Sequence, residues 1–295
     1  MEDPAAPVAS GRLKTFESVV LESIVETPDT RTLVLDIVPE PGAYRAGQWV
    51  SIDPHQFVWL RSIIAYLEQQ KGRTEPPRAY SMSSAPYERY LAITVKEEVF
   101  EAGHTTYPPL ISGPLVHELR AGDPLVVRGY AGGYVLPDDV ESRTVHVLHL
   151  CAGSGSVPNF SMIKDSLERH RRLRHTLLYS NKTWDDIIFR DALTALQAQF
   201  ADRLAVMHSL TRGAAPPSPG VTVRQGRIDR DLVARVLEGE PDSLVYMCGP
   251  AISVWDRRAA AAAGTTPGPR FLEVMSSHLD SLGVPASRIR TEAFG

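Results

Sequence analysis

The sequence predicts two folds in series: an all-β antiparallel Greek-key barrel, then an α/β unit built on a parallel sheet. Three observations predict it. Six short β-branched runs crowd into roughly the first 120 residues after the N-terminal stretch, each bounded by Gly, Pro or Asp. Strand and helix patterns then alternate to the end of the chain. Between them the composition shifts at "LPDDVESR", residues 136–143, which reads as a linker. The expected boundaries are 12–138 for the barrel and 144–295 for the α/β unit.

In order, "FESVVLESIVE", "TRTLVLDIVP", "GQWVSIDP", "RAYSMSSA", "YLAITVKEE" and "DPLVVRGYAGGY" supply the barrel strands. "TVHVLHLCAGSG" is a buried strand leaving the sheet through a Gly/Ser turn, and "VPNFSMIKDSLERHRR" is a helix with a basic last turn. "HTLLYSNK" is the next strand and "WDDIIFRDALTALQAQF" the next helix. "RLAVMHSLTR", "IDRDLVARVLE", "DSLVYMCGP" and "RFLEVMSSHLDSLG" continue the alternation, as a parallel sheet covered on both faces requires.

The bulk numbers exclude several classes. At 295 residues two domains are comfortable, and 43% hydrophobic with 22% charged residues is ordinary for a globular chain. A net charge of −4 gives no general attraction to nucleic acid or anionic lipid. Two cysteines, Cys151 and Cys248, cannot make a disulfide scaffold or a four-cysteine metal or iron–sulfur site. "MEDPAAPVAS" lacks the basic start and apolar core of a secretion signal, and the longest apolar patch, 57–67, is broken by Arg61 and too short to cross a bilayer. A cytoplasmic protein with free thiols and no metal is the expectation.

Three stretches carry chemistry. In "PPRAYSMSSAP" (76–86), Arg78 could clamp a phosphate, Tyr80 cover a flat ring and Ser81 hydrogen-bond a heteroatom. In "HLCAGSGSVPNF" (149–160), Gly153, Ser154 and Gly155 sit where a strand ends and a helix begins, a place whose amides and dipole favour an anion. Taken alone, such a turn is often only a tight connection. "YMCGPAIS" (246–253) puts a cysteine at a strand's carboxyl tip, where α/β sheets bind ligands. A lone buried cysteine is more often a small core hydrophobe.

Together, "RAYSMSS", "AGSGSVP" and "YMCGP", in this order after a barrel, resemble the ferredoxin–NADP(H) reductase superfamily over residues 15 to 295. The resemblance extends to "RAGQWVSI", "HELRAGDPLVVRGYAGGY" and "GRI". It implies an FAD-binding barrel and an NAD(P)-binding α/β unit. Arg78 would neutralise the flavin pyrophosphate, Ala79 and Tyr80 would flank the ring, and Ser81 would bond near its reactive nitrogen. Thr94, Val95 and Lys96 would lie along the adenosine-phosphate half, with Lys96 alternatively a solvated strand residue. The family's Gly-x-x-Ser phosphate loop falls on Leu110-Ile111-Ser112-Gly113, where Gly113 replaces the serine and no glycine opens the motif. Ser112 would supply a hydroxyl and Gly113 an amide, and FMN in place of FAD stays open.

On the nucleotide side, Gly153, Ser154, Gly155, Ser156 and Pro158 would receive the NAD(P)H pyrophosphate. Cys248, Gly249 and Pro250 would pack beside the nicotinamide. Ser180, Asn181, Lys182 and Arg190 follow the next strand where an acidic residue would favour NADH, so NADPH is expected, with NADH possible; Lys182 and Arg190 are alternatively solvated surface charges, and Asp185 and Asp186 temper the local field. Glu292 and Phe294, followed by Gly295, match the family's C-terminal Glu-x-Tyr spacing with Phe for Tyr. Phe294 would cover the flavin at rest, or else dock on the seam, and Glu292 would balance charge or relay a proton.

The implied function is transfer of hydride from NADPH to FAD, then of single electrons to a ferredoxin or flavodoxin. The alternatives are a free-flavin or ferric reductase, a reductase subunit of an oxygenase, and a non-catalytic nucleotide-sensing module. Two insertions depart from the family. Residues 55–73 place Trp59, Leu60, Ile63, Ile64 and Leu67 at helical spacing, most simply for internal packing, and 251–270 extends past Cys-Gly-Pro.

Overall fold

The computed structural model describes residues 13–100, 105–214 and 220–294. Arg12, the expected start of the barrel, the N-terminal "MEDPAAPVAS" and Gly295 lie outside these. The chain divides into two units, Met1–Val25 with Asp29–Val135, and Glu26–Pro28 with Leu136–Gly295.

In the first unit, β1 (Lys14–Thr27), β2 (Thr30–Leu35), β3 (Trp49–Ile52), β4 (Arg78–Ser81), β5 (Leu91–Lys96) and β6 (Pro124–Ala131) form one six-stranded sheet. Its order is β4-β3-β6-β1-β2-β5, and an antiparallel bridge from Met82 to Ile93 joins the two ends. The last strand thus lies between the first and third, the Greek-key arrangement, and closure removes the sheet's edges. Val20, Leu33, Leu35, Val50, Ile52, Ile93, Leu125 and Val127 fill the interior because side chains alternate along each strand.

The 55–73 insertion is helix α1 (Arg61–Lys71), entered through a tight turn at Val58–Leu60 and stopped by Gly72 at φ 64°. Leu60, Ile64 and Leu67, spaced four and three residues apart, join the barrel core, so the insertion packs internally. Trp59 and Ile63 do not join them; they stay 55% and 38% exposed, and the buried stripe is narrower than expected. A short helix α2 spans Ser112–His117.

In the second unit, β7 (His146–Ala152), β8 (Arg174–Asn181), β9 (Leu204–Leu210), β10 (Thr222–Gln225), β11 (Leu244–Gly249) and β12 (Ile289–Ala293) form a parallel sheet in the order β10-β9-β8-β7-β11-β12. Helices α3 (Val140–Arg143), α4 (Ser156–Arg169), α5 (Arg190–Gln199), α6 (Arg230–Leu237), α7 (Val254–Ala262) and α8 (Phe271–Ser281) accompany it. Two separate core clusters flank the sheet: one gathers Phe160, Ile163, Tyr179 and Leu193, the other Leu150, Met247, Leu272 and Leu279. The chain runs outward from β7 to β10 and returns at β11, which makes the β7/β11 boundary the topological switch point.

One expected element differs. The helix predicted over 184–200 is broken into a tight turn at Trp184–Asp186, closed by a Thr183/Asp186 capping box, and α5 from Arg190. Ile187, Ile188 and Phe189 are all buried, and three consecutive residues cannot share one helix face. Phe189 takes φ 59° and stacks on Phe160 at 4.3 Å, so the chain turns there and restarts.

Candidate functional site

On the barrel, β4 pairs with β3 so that Trp49 faces Ser81 and Val50 faces Tyr80 in register. Ser81 is buried and its hydroxyl has no hydrogen-bond partner among the described residues; Ser83 and Tyr130 share that condition. Such a group costs about 1–3 kcal/mol until something bonds it, so these atoms are natural contacts for a bound heteroatom. Tyr80 packs half-buried against the core, and burial holds its phenol well above the ordinary range. Tyr130, for which the sequence suggested no role, lies between Phe16 and Tyr44 with ring centroids 5.2 and 5.1 Å away, tilted against both.

Arg78 is not a free cation. Its Nη2 donates to the buried Glu75 Oε2 at 2.8 Å and its Nη1 to the carbonyl of Pro76. Burial pushes the Glu75 carboxyl up, but hydrogen bonds from Lys71 and Arg78 outweigh it and hold the group below its usual value. Any phosphate at Arg78 therefore shares the guanidinium with Glu75. Ala79 is exposed beside it.

Closure of the barrel carries β4 to β5 through the Met82–Ile93 bridge. On β5 the Thr94 hydroxyl bonds Thr32 at 2.8 Å, Val95 is fully buried in the core, and Lys96 Nζ donates to both oxygens of Asp29. Val95 offers a ligand only backbone, and Lys96 is half-buried and ion-paired with a residue far away in sequence. Ser112 Oγ accepts from the amide of Glu98 at 3.1 Å, which fixes the start of α2 against the end of β5. A β-carbon on Gly113 would approach Glu97 Oε1 to 3.3 Å.

In the α/β unit the predicted residues gather at the carboxyl ends of neighbouring strands. Ala152 lies in register with Ser180, Cys248 with Cys151 on one side and Glu292 on the other, and Phe294 donates its amide to Gly249. The Gly153–Gly155 turn joins β7 to α4. Gly153 adopts φ 54°, and a β-carbon on Gly155 would stand 2.1 Å from the Cys248 carbonyl oxygen. One on Gly249 would meet Phe271 at 2.8 Å and Ala152 at 3.2 Å. The tips of β7 and β11 are therefore packed backbone to backbone at the switch point, where side chains cannot enter and a ligand meets amides instead.

Ser156 and Pro158 are buried in the first turn of α4, so they support the loop from within, and Pro250 is exposed after β11. Both thiols are free and buried, and burial raises each well above the ordinary thiol range. Cys248 is thus a neutral packing group at the site. Glu292 keeps one buried oxygen without a partner among the described residues, and burial raises its carboxyl to about 7.

At the end of β8, Ser180 is half-exposed, Asn181 buried and Lys182 exposed. Arg190 lies over the Trp184 ring at 5.0 Å and bonds Asp191. Asp186 Oδ2 accepts from both the amide and the hydroxyl of Thr183. Below them His208 is held neutral, driven down to about 4 by burial and then by the Arg190 charge. Trp184 and His208 were not predicted; an aromatic three residues before a buried Ile-Ile-Phe run was the one available signal.

A match to the family described as "Oxidoreductase NAD-binding domain" covers residues 150–254, from the end of β7 past the tip of β11. The ferredoxin reductase component of a 3-ketosteroid-9-alpha-monooxygenase from Mycolicibacterium smegmatis is 31% identical over 266 residues, 89% of this chain and 66% of that protein. The chain belongs to the ferredoxin–NADP(H) reductase superfamily of flavoprotein oxidoreductases. The Mycobacterium tuberculosis protein of the same description is 28% identical over 95% of this chain, which spans only 65% of that relative's length. The fold of the superfamily recurs in the FAD/NAD-binding domain of a Vibrio cholerae nitric oxide dioxygenase, with a TM-score of 0.67 at 24% identity, covering 97% of this chain and 99% of that one. The cytochrome b5 reductase domain of Ulva prolifera nitrate reductase gives 0.66 at 21% identity, covering 95% and 97%.

Proposed function

We propose that this chain is an NADPH-dependent reductase that holds FAD on its barrel, binds the dinucleotide on its α/β unit and passes electrons to a separate acceptor. The observation that carries the reading is the Gly155–Cys248 contact, a strand-tip cradle at the switch point that a single methyl group would fill. FAD, when bound, supplies a group able to accept hydride and release electrons one at a time. The chain's own residues bind and orient. Ser81 offers an unused hydroxyl, Arg78 a cation already oriented by Glu75, and Tyr80 a ring fixed against the core.

The hydroxyl and cations at and after the end of β8 support NADPH over NADH, against the two carboxylates Asp185 and Asp186 in the same turn. Asp186 holds Thr183 through one oxygen, while Ser180, Lys182 and Arg190, the last already paired with Asp191, suit a 2′-phosphate. Two buried cysteines cannot hold an iron–sulfur centre, so the one-electron acceptor lies outside this sequence. The names of the mycobacterial relatives, ferredoxin reductase components of monooxygenases, support a ferredoxin or an oxygenase component in that role, with a flavodoxin as the chemical equivalent. Among the described residues no helix is long and apolar enough to cross a membrane.

Anaerobic titration of FAD-reconstituted protein tests the reading. NADPH should bleach the flavin at lower concentration than NADH, and the reduced protein should then reduce a ferredoxin faster than free flavin. Protein that takes up no flavin, or flavin that neither nucleotide bleaches, would overturn it.

A further inference from the structure

Beneath the Gly153–Gly155 turn lies a buried polar chain that the cofactor reading does not use. Ser166 Oγ is 2.8 Å from His175 Nε2, His175 Nδ1 is 3.0 Å from His149 Nε2, His149 Nδ1 is 2.7 Å from Asn159 Oδ1, and Asn159 Nδ2 is 3.0 Å from the Gly155 carbonyl. All four side chains are 0–1% exposed. Asn159 and Ser166 are two turns apart on α4 and share its sheet-facing side, while His149 and His175 come from adjoining strands β7 and β8.

Chemistry fixes the direction of this chain. A carbonyl only accepts, so the Asn159 amide nitrogen faces Gly155 and its oxygen faces His149. His149 must then carry its proton on Nδ1, which leaves Nε2 as an acceptor. His175 donates to it from Nδ1, and Ser166 donates to His175 Nε2. With both imidazoles neutral, no other order satisfies every group. A shorter chain ends on the neighbouring carbonyl: Ser156 Oγ donates to Tyr179 Oη, and Tyr179 donates to Gly153 O, each at 2.9 Å. Because a trans peptide sets C=O and N–H on opposite sides, a Gly153 carbonyl held against Tyr179 turns the Ser154 amide the other way.

We propose that Ser166, His175, His149 and Asn159 form a one-way hydrogen-bond brace that positions the nucleotide-binding loop through the Gly155 carbonyl. His149 and Asn159 are positioning residues: they touch neither cofactor nor substrate and act through the backbone. The inference rests on the reading of that loop as the dinucleotide site. Burial favours the neutral imidazoles the order needs, holding His149 down to about 4 and His175 lower still.

Two measurements on the full chain test it. In nitrogen-15 histidine spectra of the wild type at pH 7.5, the two imidazoles lost in His149→Gln and His175→Gln should both carry protonated Nδ1 and bare Nε2. Protonated Nε2 in either overturns the brace, whatever the variants do to folding. Calorimetry with NADP+ should show Asn159→Leu weakening binding about tenfold and Ser166→Ala, three links further away, only about twofold. Folded Asn159→Leu that binds as tightly as the wild type also overturns the brace but leaves the loop reading intact. A wild type that binds no NADP+ sinks the loop reading, while the tautomers still decide whether the chain runs one way. If Asn159→Leu does not fold, the wild-type spectra decide alone.

Discussion

The carbonyl oxygen of Cys248 occupies the place where residue 155 would carry its β-carbon, 2.1 Å from that position. The obstacle is backbone from a central strand, so it cannot swing aside as a side-chain end would. Gly155→Ala is therefore expected to cost at least about 2 kcal/mol of stability and to weaken nucleotide binding more than tenfold while flavin stays on the barrel. Gly153 needs its glycine for a different reason. Nothing lies within 4 Å of a β-carbon there, but φ is 54°, so Gly153→Ala should cost only about 1 kcal/mol. Denaturant melts of the two variants check the order, and equal costs would mean that the packing is looser than described.

Ser81→Ala separates a ligand-facing hydroxyl from a structural one. In flavin-free protein the change removes a buried donor with no partner and should be neutral or stabilising by up to about 1 kcal/mol. In FAD-loaded protein the sign should reverse, because the hydroxyl then has something to bond. Thermal unfolding of both forms reads this, and a destabilised flavin-free variant would show that Ser81 already has a protein partner.

Most of this architecture was legible because periodicity reports burial. The alternation in "TRTLVLDIVP" and the solid apolar run of "DSLVYMCGP" differ just as a barrel wall differs from a central parallel strand. The three stretches expected to hold cofactor stand out because glycine, arginine and cysteine at strand ends leave short local signatures. What stayed hidden is set by closure. Asp29 reaches Lys96 only when β2 pairs with β5, whereas Glu75 stands three residues before Arg78 and was within reach of a local reading. His149 and His175, 26 residues apart, meet because their strands adjoin, and nothing local to either announces it.

The insertion helix makes a sharp packing prediction. Leu67 is 1% exposed in the barrel core and Ile63, one turn earlier, is 38% exposed. Leu67→Ala should cost about 2–5 kcal/mol and Ile63→Ala less than about 1 kcal/mol in urea unfolding. A reversed order would mean that the opposite face of α1 is the buried one.

Acid should weaken the α/β unit through its paired histidines. His149 titrates near 4 when folded against about 6.5 when unfolded, so the unfolded state binds the extra proton first. Stability is intact above pH 6.5 and falls as pH drops toward 4, by roughly 3 kcal/mol for His149 alone. The charges around the pair do not relieve this: His146, Arg203 and His170 are cationic or neutral, and Tyr246 adds only its ring. Unfolding free energy followed from pH 7 to 5 should decline faster than in a His149→Gln variant, and parallel curves would remove the assignment.

Glu292 should act with the opposite sign. Burial lifts its carboxyl from an ordinary 4.5 to about 7, so between those values the folded state holds a proton that the unfolded chain has released. Its contribution is therefore fully present below pH 4.5 and is lost as pH rises through 7. Glu292→Gln, which keeps the shape and cannot ionise, is expected to match the wild type near pH 5 and to melt several degrees higher at pH 8. The same group sits in register with Cys248, whose thiol burial keeps neutral, so above pH 7 the charge that appears at this strand tip is the carboxylate's alone. If the wild type also binds NADPH less tightly from pH 6 to 8 while Glu292→Gln does not, that charge faces the nucleotide. If both variants follow one curve in melting and in binding, the carboxyl already has a partner and ionises in the ordinary range.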